Sequence, residues 1–279
     1  MERTIAAFQK KNDYLICIDS DGCAMDTMDI KHFTCFGPCM VEEWQLEEWE
    51  EEILTRWNDI NLYTMTRGIN RFKGLAMALG EINEKYKPIE GCLKLKVWAD
   101  GAKELSNQAV EEMYNKTDEE IFKKALSWSK SVNENIQKLP DSEKKPFEGA
   151  KEGLKAASKV ADVAIVSSAN VDAVVEEWKT HGLLEYVDVM LCQDAGSKAF
   201  CIKELVKKGY DNRKVLMVGD APGDLDAAKK NLVNFYPILV RHEKTSWEES
   251  PSAFEKLKNM DYESYGKQKE KEFIDNLSK

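Results

Sequence analysis

The sequence predicts an α/β fold, with a parallel sheet core and an inserted all-helical domain. Short apolar runs rich in β-branched residues recur along the chain, and helical stretches separate the later ones. Strands that alternate with helices favour a parallel sheet covered on both faces. A long region without strand character separates the first run from the second. The predicted strands are 14–18, 163–166, 187–191, 215–218 and 235–240.

The long region between the first two strands has helical periodicity. One apolar face predicts an amphipathic helix. Thr117 and Glu120 have the spacing of a capping box ahead of a second apolar stripe. The tryptophans at these spacings are interpreted as core residues. The first face is Leu46, Trp49, Ile53, Trp57 and Ile60, and the second is Ile121, Ala125, Trp128 and Val132.

These patterns divide the chain into three parts. Residues 1–31 and 146–245 form the predicted α/β core, residues 32–145 form the helical insertion, and residues 246–279 form a helical tail packed on the core. Because the sheet is predicted to be parallel, its ligand site is expected beyond the carboxyl ends of the strands.

Composition excludes several classes of function. The 279 residues carry a formal net charge of -10, so the chain lacks the basic surface that nucleic acid requires. No apolar run is long enough to cross a bilayer, and no signal-peptide pattern is found. The 7 cysteines include no C-x-x-C pair, which favours free thiols in a reducing compartment. We therefore expect a cytoplasmic monomer or homodimer that binds no membrane.

Acidic residues collect where strands end. The first strand ends in "DSDG", with Asp19 and Asp21, and the strand 215–218 is followed by Asp220 and, one helical turn later, by Asp224. Parallel strands bring these carboxylates to one edge of the sheet. Such a cluster needs a cation, and Mg2+ fits best because it prefers hard oxygen ligands and substrate phosphates. The sequence therefore predicts Mg2+ bound by these four aspartates.

The same residues predict phosphoryl transfer from a small phosphorylated metabolite. Asp19 is the predicted nucleophile, which would form an aspartyl-phosphate, and Asp21 is the predicted general acid and base. Ser167, at the end of the second strand, offers its hydroxyl to phosphate oxygens, and Ser168 is a further predicted substrate contact. Lys198, at the start of a helix, is the predicted cation that balances the charge.

These residues resemble the motifs of the haloacid dehalogenase-like superfamily. "DSDG" is similar to its D-x-D-G motif, Ser167 to its Ser/Thr motif, Lys198 to its lysine motif and "GDAPGD" to its G-D-x-x-x-D motif. The resemblance implies a Rossmann-like core and an Mg2+-dependent phosphoaspartyl mechanism. The helical insertion and the "DT" at Asp26 resemble the branch of phosphoglycolate phosphatase and β-phosphoglucomutase, in which the insertion is a cap.

One short stretch of the acidic insertion is basic. "TRGINRFKG" contains Arg67, Arg71 and Lys73. On a helix, Arg67 and Arg71 would share a face and clamp an anionic group of the substrate. The alternative interpretation is that these residues balance nearby glutamates at the surface.

The function predicted from the sequence is that of a phosphatase acting on a sugar phosphate or organic acid phosphate. A phosphomutase of the β-phosphoglucomutase type would use the same motifs, with the cap excluding water. A phosphate-binding module without catalysis is the non-enzyme alternative, and it predicts loss of at least one motif residue, whereas all are present.

Overall fold

The structure is a computed structural model, and it describes residues 1–278. The chain forms two compact units. The larger combines Met1–Met28 with the chain from Asp141 onward, and the smaller is Asp29–Pro140. Each unit has its own buried apolar core.

The larger unit contains the β-structure. Five strands form one parallel sheet in the order β5-β4-β1-β6-β7, and two short strands, β2 and β3, form a separate antiparallel pair. All residues of β1 are buried, as expected for a central strand covered on both faces. The strands are β1 (Leu15–Ile18), β2 (Met25–Asp26), β3 (Lys145–Pro146), β4 (Asp162–Val166), β5 (Val189–Leu191), β6 (Val215–Gly219) and β7 (Asn234–Pro237).

Helices connect the strands of the sheet and follow its last strand. Asn170 and Ser197 cap two of these helices with side-chain oxygens, because a helix start leaves backbone N–H groups without partners. The Ser197 cap makes Lys198 the first residue of its helix. The helices of the larger unit are α8 (Ala150–Ala157), α9 (Val171–Thr180), α10 (Lys198–Val206), α11 (Pro222–Lys230), α12 (Glu243–Lys258) and α13 (Glu263–Leu277).

The smaller unit is helical, and its core is rich in aromatic side chains. Trp57, Trp128 and Phe72 are almost fully buried, and the Trp128 ring lies about 6 Å from each of the other two rings. The helices that precede α8 are α1 (Met28–Lys31), α2 (Gly37–Trp44), α3 (Glu50–Asn58), α4 (Arg71–Lys85), α5 (Cys92–Gly101), α6 (Asn107–Thr117) and α7 (Glu120–Lys138). The predicted fold class, a Rossmann-like parallel sheet with an inserted all-helical domain, is confirmed.

Two local predictions in the helical unit were wrong. The stripe from Leu46 to Ile60 does not lie on one helix, because α3 is preceded by a 3-10 turn and followed by a π-helical turn. Thr117 does not cap α7: it ends α6, and its hydroxyl donates to the Met113 carbonyl within that helix. Spacing predicted the buried faces, but it did not resolve where each helix begins.

The last two helices belong to the larger unit. Helix α12 packs against α8, and α13 packs against β7. Trp247 of α12 is 1% exposed and Phe273 of α13 is fully buried, so each helix contributes to the core. Within residues 1–278, no helix combines the length and apolar character that a membrane crossing requires.

Candidate active site

Three buried aspartates meet at the carboxyl end of the parallel sheet. Asp19 follows β1 and Asp220 follows β6, and these strands are neighbours. Asp224 lies in the first turn of α11. One carboxylate oxygen from each residue lies within 4.8 Å of the other two, and each of the three residues is at most 5% exposed. The convergence predicted from the parallel sheet holds for these three carboxylates.

Lys198 joins two of these aspartates. Its Nζ lies 2.7 Å from Asp19 Oδ2 and donates to Asp224 Oδ1 at 2.6 Å. The second oxygen of Asp224 accepts from the Ala221 backbone N–H at 3.1 Å. Asp224 is therefore held from both sides, and its position fixes that of the lysine beside Asp19.

Gly219 makes room for this arrangement. A Cβ atom at residue 219 would lie 2.4 Å from both Cβ and Cγ of Asp224, far closer than side-chain atoms pack. The last residue of β6 must therefore be glycine for Asp224 to fold back over the strand end. The sequence motif contains this glycine, but the reason for it is visible only in three dimensions.

The electrostatics of the cluster favour a cation. Burial raises the pKa of Asp19 to about 8, because the cost of desolvating its charge exceeds the attraction of Lys198, and the Asp224 and Asp220 carboxylates raise that pKa further. Burial alone lowers the pKa of Lys198, but Asp19 and Asp224 outweigh burial and raise that pKa above its ordinary value. The cluster thus holds three carboxyl groups and one ammonium group, which contacts two of them.

The donor set fits a hard divalent ion. Asp19, Asp220 and Asp224 offer only oxygen ligands, close enough for one ion to contact all three. A cation at this position would favour the ionised form of Asp19, against the burial and the neighbouring carboxylates that raise its pKa. The residues present therefore fit the Mg2+ expected from the sequence.

Asp21 has a different environment from the other three aspartates. Its side chain is half-buried, and its Oδ1 accepts a hydrogen bond of 2.7 Å from the Thr27 hydroxyl. The carboxylate cluster found among residues 1–278 does not include Asp21, so only three of the four predicted carboxylate ligands converge. Sequence reasoning missed the role of Thr27, which is fully buried, although the residue stood in the "DT" pair.

The two predicted serines lie next to the central strand. Ser167 directly follows β4, which pairs with β1, and it is 3% exposed. Its Oγ accepts from the Ala169 N–H at 3.1 Å, which turns the chain toward α9. Ser168 is exposed at the same end of β4.

The three basic residues predicted to contact the substrate, Arg67, Arg71 and Lys73, do not share one helix face. Arg67 lies in a turn and is 3% exposed, and its Nη1 donates to the Leu62 carbonyl at 2.8 Å. Arg71 begins α4 and donates to Asn133 Oδ1 at 2.8 Å. Burial lowers the pKa of Arg71 to about 10. Lys73 is half-buried. The premise of a shared helix face was wrong, and substrate contact by these three residues stays a prediction.

The fold and the site together define an α/β enzyme with a carboxylate and lysine centre at the end of its sheet. Residues 82–238 match the family model described as haloacid dehalogenase-like hydrolase, which is more than half of the chain. The chain belongs to this family, and the prediction of a hydrolase of this class is confirmed. The match includes Lys198, Asp220 and Asp224 and begins after Asp19 and Asp21.

Several solved structures are similar to this chain, and the two with TM-scores above 0.5 have the same fold. A protein described as a phosphoglycolate phosphatase from Lactobacillus delbrueckii subsp. bulgaricus is 12% identical, with 88% of this chain and 99% of that chain covered and a TM-score of 0.54. A haloacid dehalogenase-like family hydrolase from Xanthomonas campestris is 10% identical, with 95% and 100% covered and a TM-score of 0.53. A protein described as a β-phosphoglucomutase from Thermotoga maritima is 16% identical, with 88% and 97% covered and a TM-score of 0.48. No curated protein matches the chain.

Proposed function

We propose that this hydrolase is an Mg2+-dependent phosphatase that hydrolyses a small phosphomonoester, a sugar phosphate or an organic acid phosphate. The observation that carries the proposal is the arrangement around Asp19. Its carboxylate lies 2.7 Å from the Lys198 ammonium and beside two further buried carboxylates, at the end of the central strand. Such a site offers a nucleophile and a place for a cation, which are what phosphoryl transfer requires.

In the first step, one Asp19 oxygen attacks the phosphorus atom of the ester. The bond from phosphorus to the ester oxygen breaks, and Asp21 donates a proton to that oxygen, so the alcohol leaves neutral. The product on the enzyme is an aspartyl-phosphate. Lys198 keeps the carboxylate oriented and balances part of the charge that gathers around the phosphoryl group.

In the second step, Asp21 takes a proton from a water molecule, which attacks the phosphorus atom of the aspartyl-phosphate. The bond from phosphorus to the Asp19 oxygen breaks, inorganic phosphate leaves, and both carboxyl groups return to their starting states. Thr27 supports this double role because its hydrogen bond fixes one Asp21 oxygen and hence the plane of the carboxyl group.

Asp19, Asp220 and Asp224 would hold the magnesium ion, with Asp21 contributing its backbone carbonyl. When bound, the ion supplies positive charge that reduces the repulsion between a carboxylate and an anionic phosphate. Ser167 and Ser168, at the end of the neighbouring strand, would donate hydrogen bonds to phosphate oxygens. Arg67, Arg71 and Lys73 remain proposed contacts for an anionic part of the substrate.

The experiment is a phosphate-release assay on a panel of phosphomonoesters, with Mg2+ and with a chelator. It compares the wild type with Asp220→Asn and with the matched control Asp226→Asn. Asp226 is an exposed aspartate on α11, two residues after Asp224, and it pairs with Lys230 at the surface. We expect Mg2+-dependent release from the wild type and the control, and loss of release in Asp220→Asn.

The assay also separates the proposal from its alternatives. Transfer of phosphate between two hydroxyls of a sugar, with little free phosphate, would replace the phosphatase by a phosphomutase. Binding of phosphate esters without turnover in the presence of Mg2+ would indicate a binding module. Either result would overturn the proposed reaction while leaving the family assignment intact.

A further inference from the structure

Two indole N–H groups from distant parts of the chain hold the loop that carries Asp21. This loop, Ser20 to Met25, directly follows Asp19. Trp178 of α9 donates from Nε1 to Ser20 Oγ at 2.9 Å. Trp247 of α12 donates from Nε1 to the Cys23 carbonyl oxygen at 2.9 Å. These two hydrogen bonds anchor the loop at Ser20 and at Cys23, on either side of Asp21.

The loop is tightly turned, so a shift of the chain at Ser20 or at Cys23 would also move Asp21. The Ser20 carbonyl accepts from the N–H groups of Cys23, Ala24 and Met25 at 3.2, 2.9 and 2.9 Å. Gly22 adopts a φ of 79°, in the left-handed region that glycine tolerates. A turn closed by three bonds to one carbonyl has little freedom to adjust within itself.

Both donors are confined to the interior. Trp178 is fully buried and Trp247 is 1% exposed, so water cannot replace the loop as their acceptor. A buried indole N–H without a partner is costly, which makes each bond a strong constraint on the loop.

The position of Trp247 is itself fixed by two glycines. A Cβ at Gly153 of α8 would lie 2.4 Å from Trp247 Cε3, and a Cβ at Gly149 would lie 3.1 Å from the Trp247 Cβ. Helix α8 thus leaves space for this indole where any larger residue would displace it. Trp247 packs directly against the backbone at Gly149 and Gly153, which fixes the position of the indole N–H that donates to Cys23.

We propose that Trp178 and Trp247 are positioning residues that hold the Asp21 loop in place for catalysis, so that helix α12, through Trp247, supports the reaction. The inference rests on the proposed function, in which Asp21 exchanges protons with the ester oxygen and with water. The family match, residues 82–238, includes Trp178 and ends before Trp247, so only the support that Trp247 gives to the loop lies outside the matched region.

The expected defect is specific to proton transfer. Asp19 follows β1 and its N–H donates to the Val218 carbonyl at 3.0 Å, so the strand holds the nucleophile independently of the two indoles. A displaced Asp21 would leave nucleophilic attack in place and impair protonation of the leaving group. Esters of weakly acidic alcohols need that proton, whereas nitrophenyl phosphate has a leaving group that departs without it.

The experiment measures the first step, release of the alcohol or phenol, for glycerol phosphate and for nitrophenyl phosphate. The variants are Trp247→Phe and Trp178→Phe, which keep an aromatic ring and remove the N–H. The control is Tyr262→Phe, in which the same C-terminal segment loses a buried hydroxyl that donates to the Phe235 carbonyl at 2.8 Å. Amide hydrogen exchange of Gly22–Met25 reports the loop directly.

In a single turnover with enzyme in excess, we expect each tryptophan variant to release glycerol from glycerol phosphate at least about tenfold more slowly than the wild type, to release nitrophenol from nitrophenyl phosphate at a rate much closer to that of the wild type, and to show faster exchange in the loop. The control should keep the wild-type ratio of the two rates. Equal losses on both esters, or an unchanged ratio with unchanged exchange, would overturn the inference. If Trp178→Phe does not fold, Ser20→Ala removes the same bond from the other side. An inactive wild type would instead overturn the proposed function, which the wild-type assay alone reveals.

Discussion

The Lys198 ammonium lies 2.7 Å from Asp19 Oδ2, at the carboxyl end of the central strand, and the same nitrogen also contacts Asp224. This contact connects the start of α10 with the residue that follows β1. Because all three side chains are largely buried, the lysine stabilises carboxylates that would otherwise repel one another. The relationship has consequences for activity, for metal binding and for the pH dependence of stability.

Replacing the lysine should remove activity. In Lys198→Met, Asp19 and Asp224 lose their shared cation, so we expect kcat for phosphate release to fall by about 10² to 10³-fold. Lys203→Met is the matched control, because Lys203 is an exposed lysine on the same helix. Steady-state phosphate release at saturating substrate measures both, and an active Lys198→Met would contradict the role given to this residue.

Magnesium should stabilise the folded protein. The proposed Mg2+ site exists only in the folded chain, and at a free Mg2+ concentration of about 100 times Kd its occupation would raise the unfolding free energy by about 2.7 kcal/mol. We expect the thermal midpoint to rise with Mg2+ in the wild type and in Asp226→Asn, and to stay constant in Asp220→Asn. A rise of equal size in Asp220→Asn would place the ion elsewhere.

Without metal, the stability of the protein should fall as the pH rises toward 8. Burial and then the neighbouring carboxylates raise the pKa of Asp19 from 3.8 to about 8 in the folded state. Between these two pKa values the folded protein holds a proton on Asp19 that the unfolded chain has released. This proton binding therefore stabilises the folded state fully below the unfolded pKa, and the stabilisation is lost as the pH rises through the folded pKa.

The Asp19→Asn variant removes this dependence. Denaturant unfolding in a chelator, from about pH 5 to about pH 8, should give wild-type and variant slopes that differ by up to about one proton. Identical slopes would show that Asp19 ionises in the folded protein at an ordinary pH.

The hydrogen bond from Thr27 to Asp21 should matter for rate more than for fold. In Thr27→Val the hydroxyl is replaced by a methyl group of similar size, and we expect kcat to fall by about tenfold, equivalent to about 1.4 kcal/mol. Thr27→Ser keeps the donor and should recover most of the loss. If valine and serine behave alike, the hydroxyl does not position Asp21.

Because Asp224 packs directly against Gly219, a larger residue at position 219 should impair the site more severely than the loss of the Thr27 hydroxyl. In Gly219→Ala the new methyl group would lie 2.4 Å from Asp224 Cγ, so Asp224 must leave its contacts with Lys198 and Ala221. We expect loss of both activity and Mg2+ stabilisation in a folded protein. Gly223→Ala is the control, because a Cβ at that position meets nothing within 4 Å.

The sequence predicted the parts of the site that follow from strand topology. Asp19 and Asp220 come directly after strands, and parallel neighbours bring such residues together whatever the loops do. The direction of the Asp21 side chain was not predictable from the sequence. It depends on the hydrogen bond from the Thr27 hydroxyl to Asp21 Oδ1, which strand topology does not show. The indole of Trp247 reaches Cys23 across 224 positions of the chain, a distance over which periodicity carries no information.

Helix ends and basic residues were also beyond the sequence. Arg67 and Arg71 have helical spacing, yet the helix begins only at Arg71, where Asn70 accepts from the Phe72 N–H and caps it. Thr117, three residues before Glu120, was predicted to cap the start of a helix, but it is the last residue of α6. Helix α7 begins after Glu119 without a side-chain cap, so the spacing of a cap motif could not locate its first residue.

The proposed reaction depends on Asp19 as the nucleophile. The most direct measurement is the mass of the peptide that contains residue 19, after rapid acid quenching of the wild type during turnover of a phosphomonoester with Mg2+. We expect a fraction of this peptide to carry one phosphoryl group on Asp19 in the wild type, and none in Asp19→Asn. A phosphoryl group on another residue, or turnover that persists in Asp19→Asn, would contradict the assignment of Asp19 as the nucleophile.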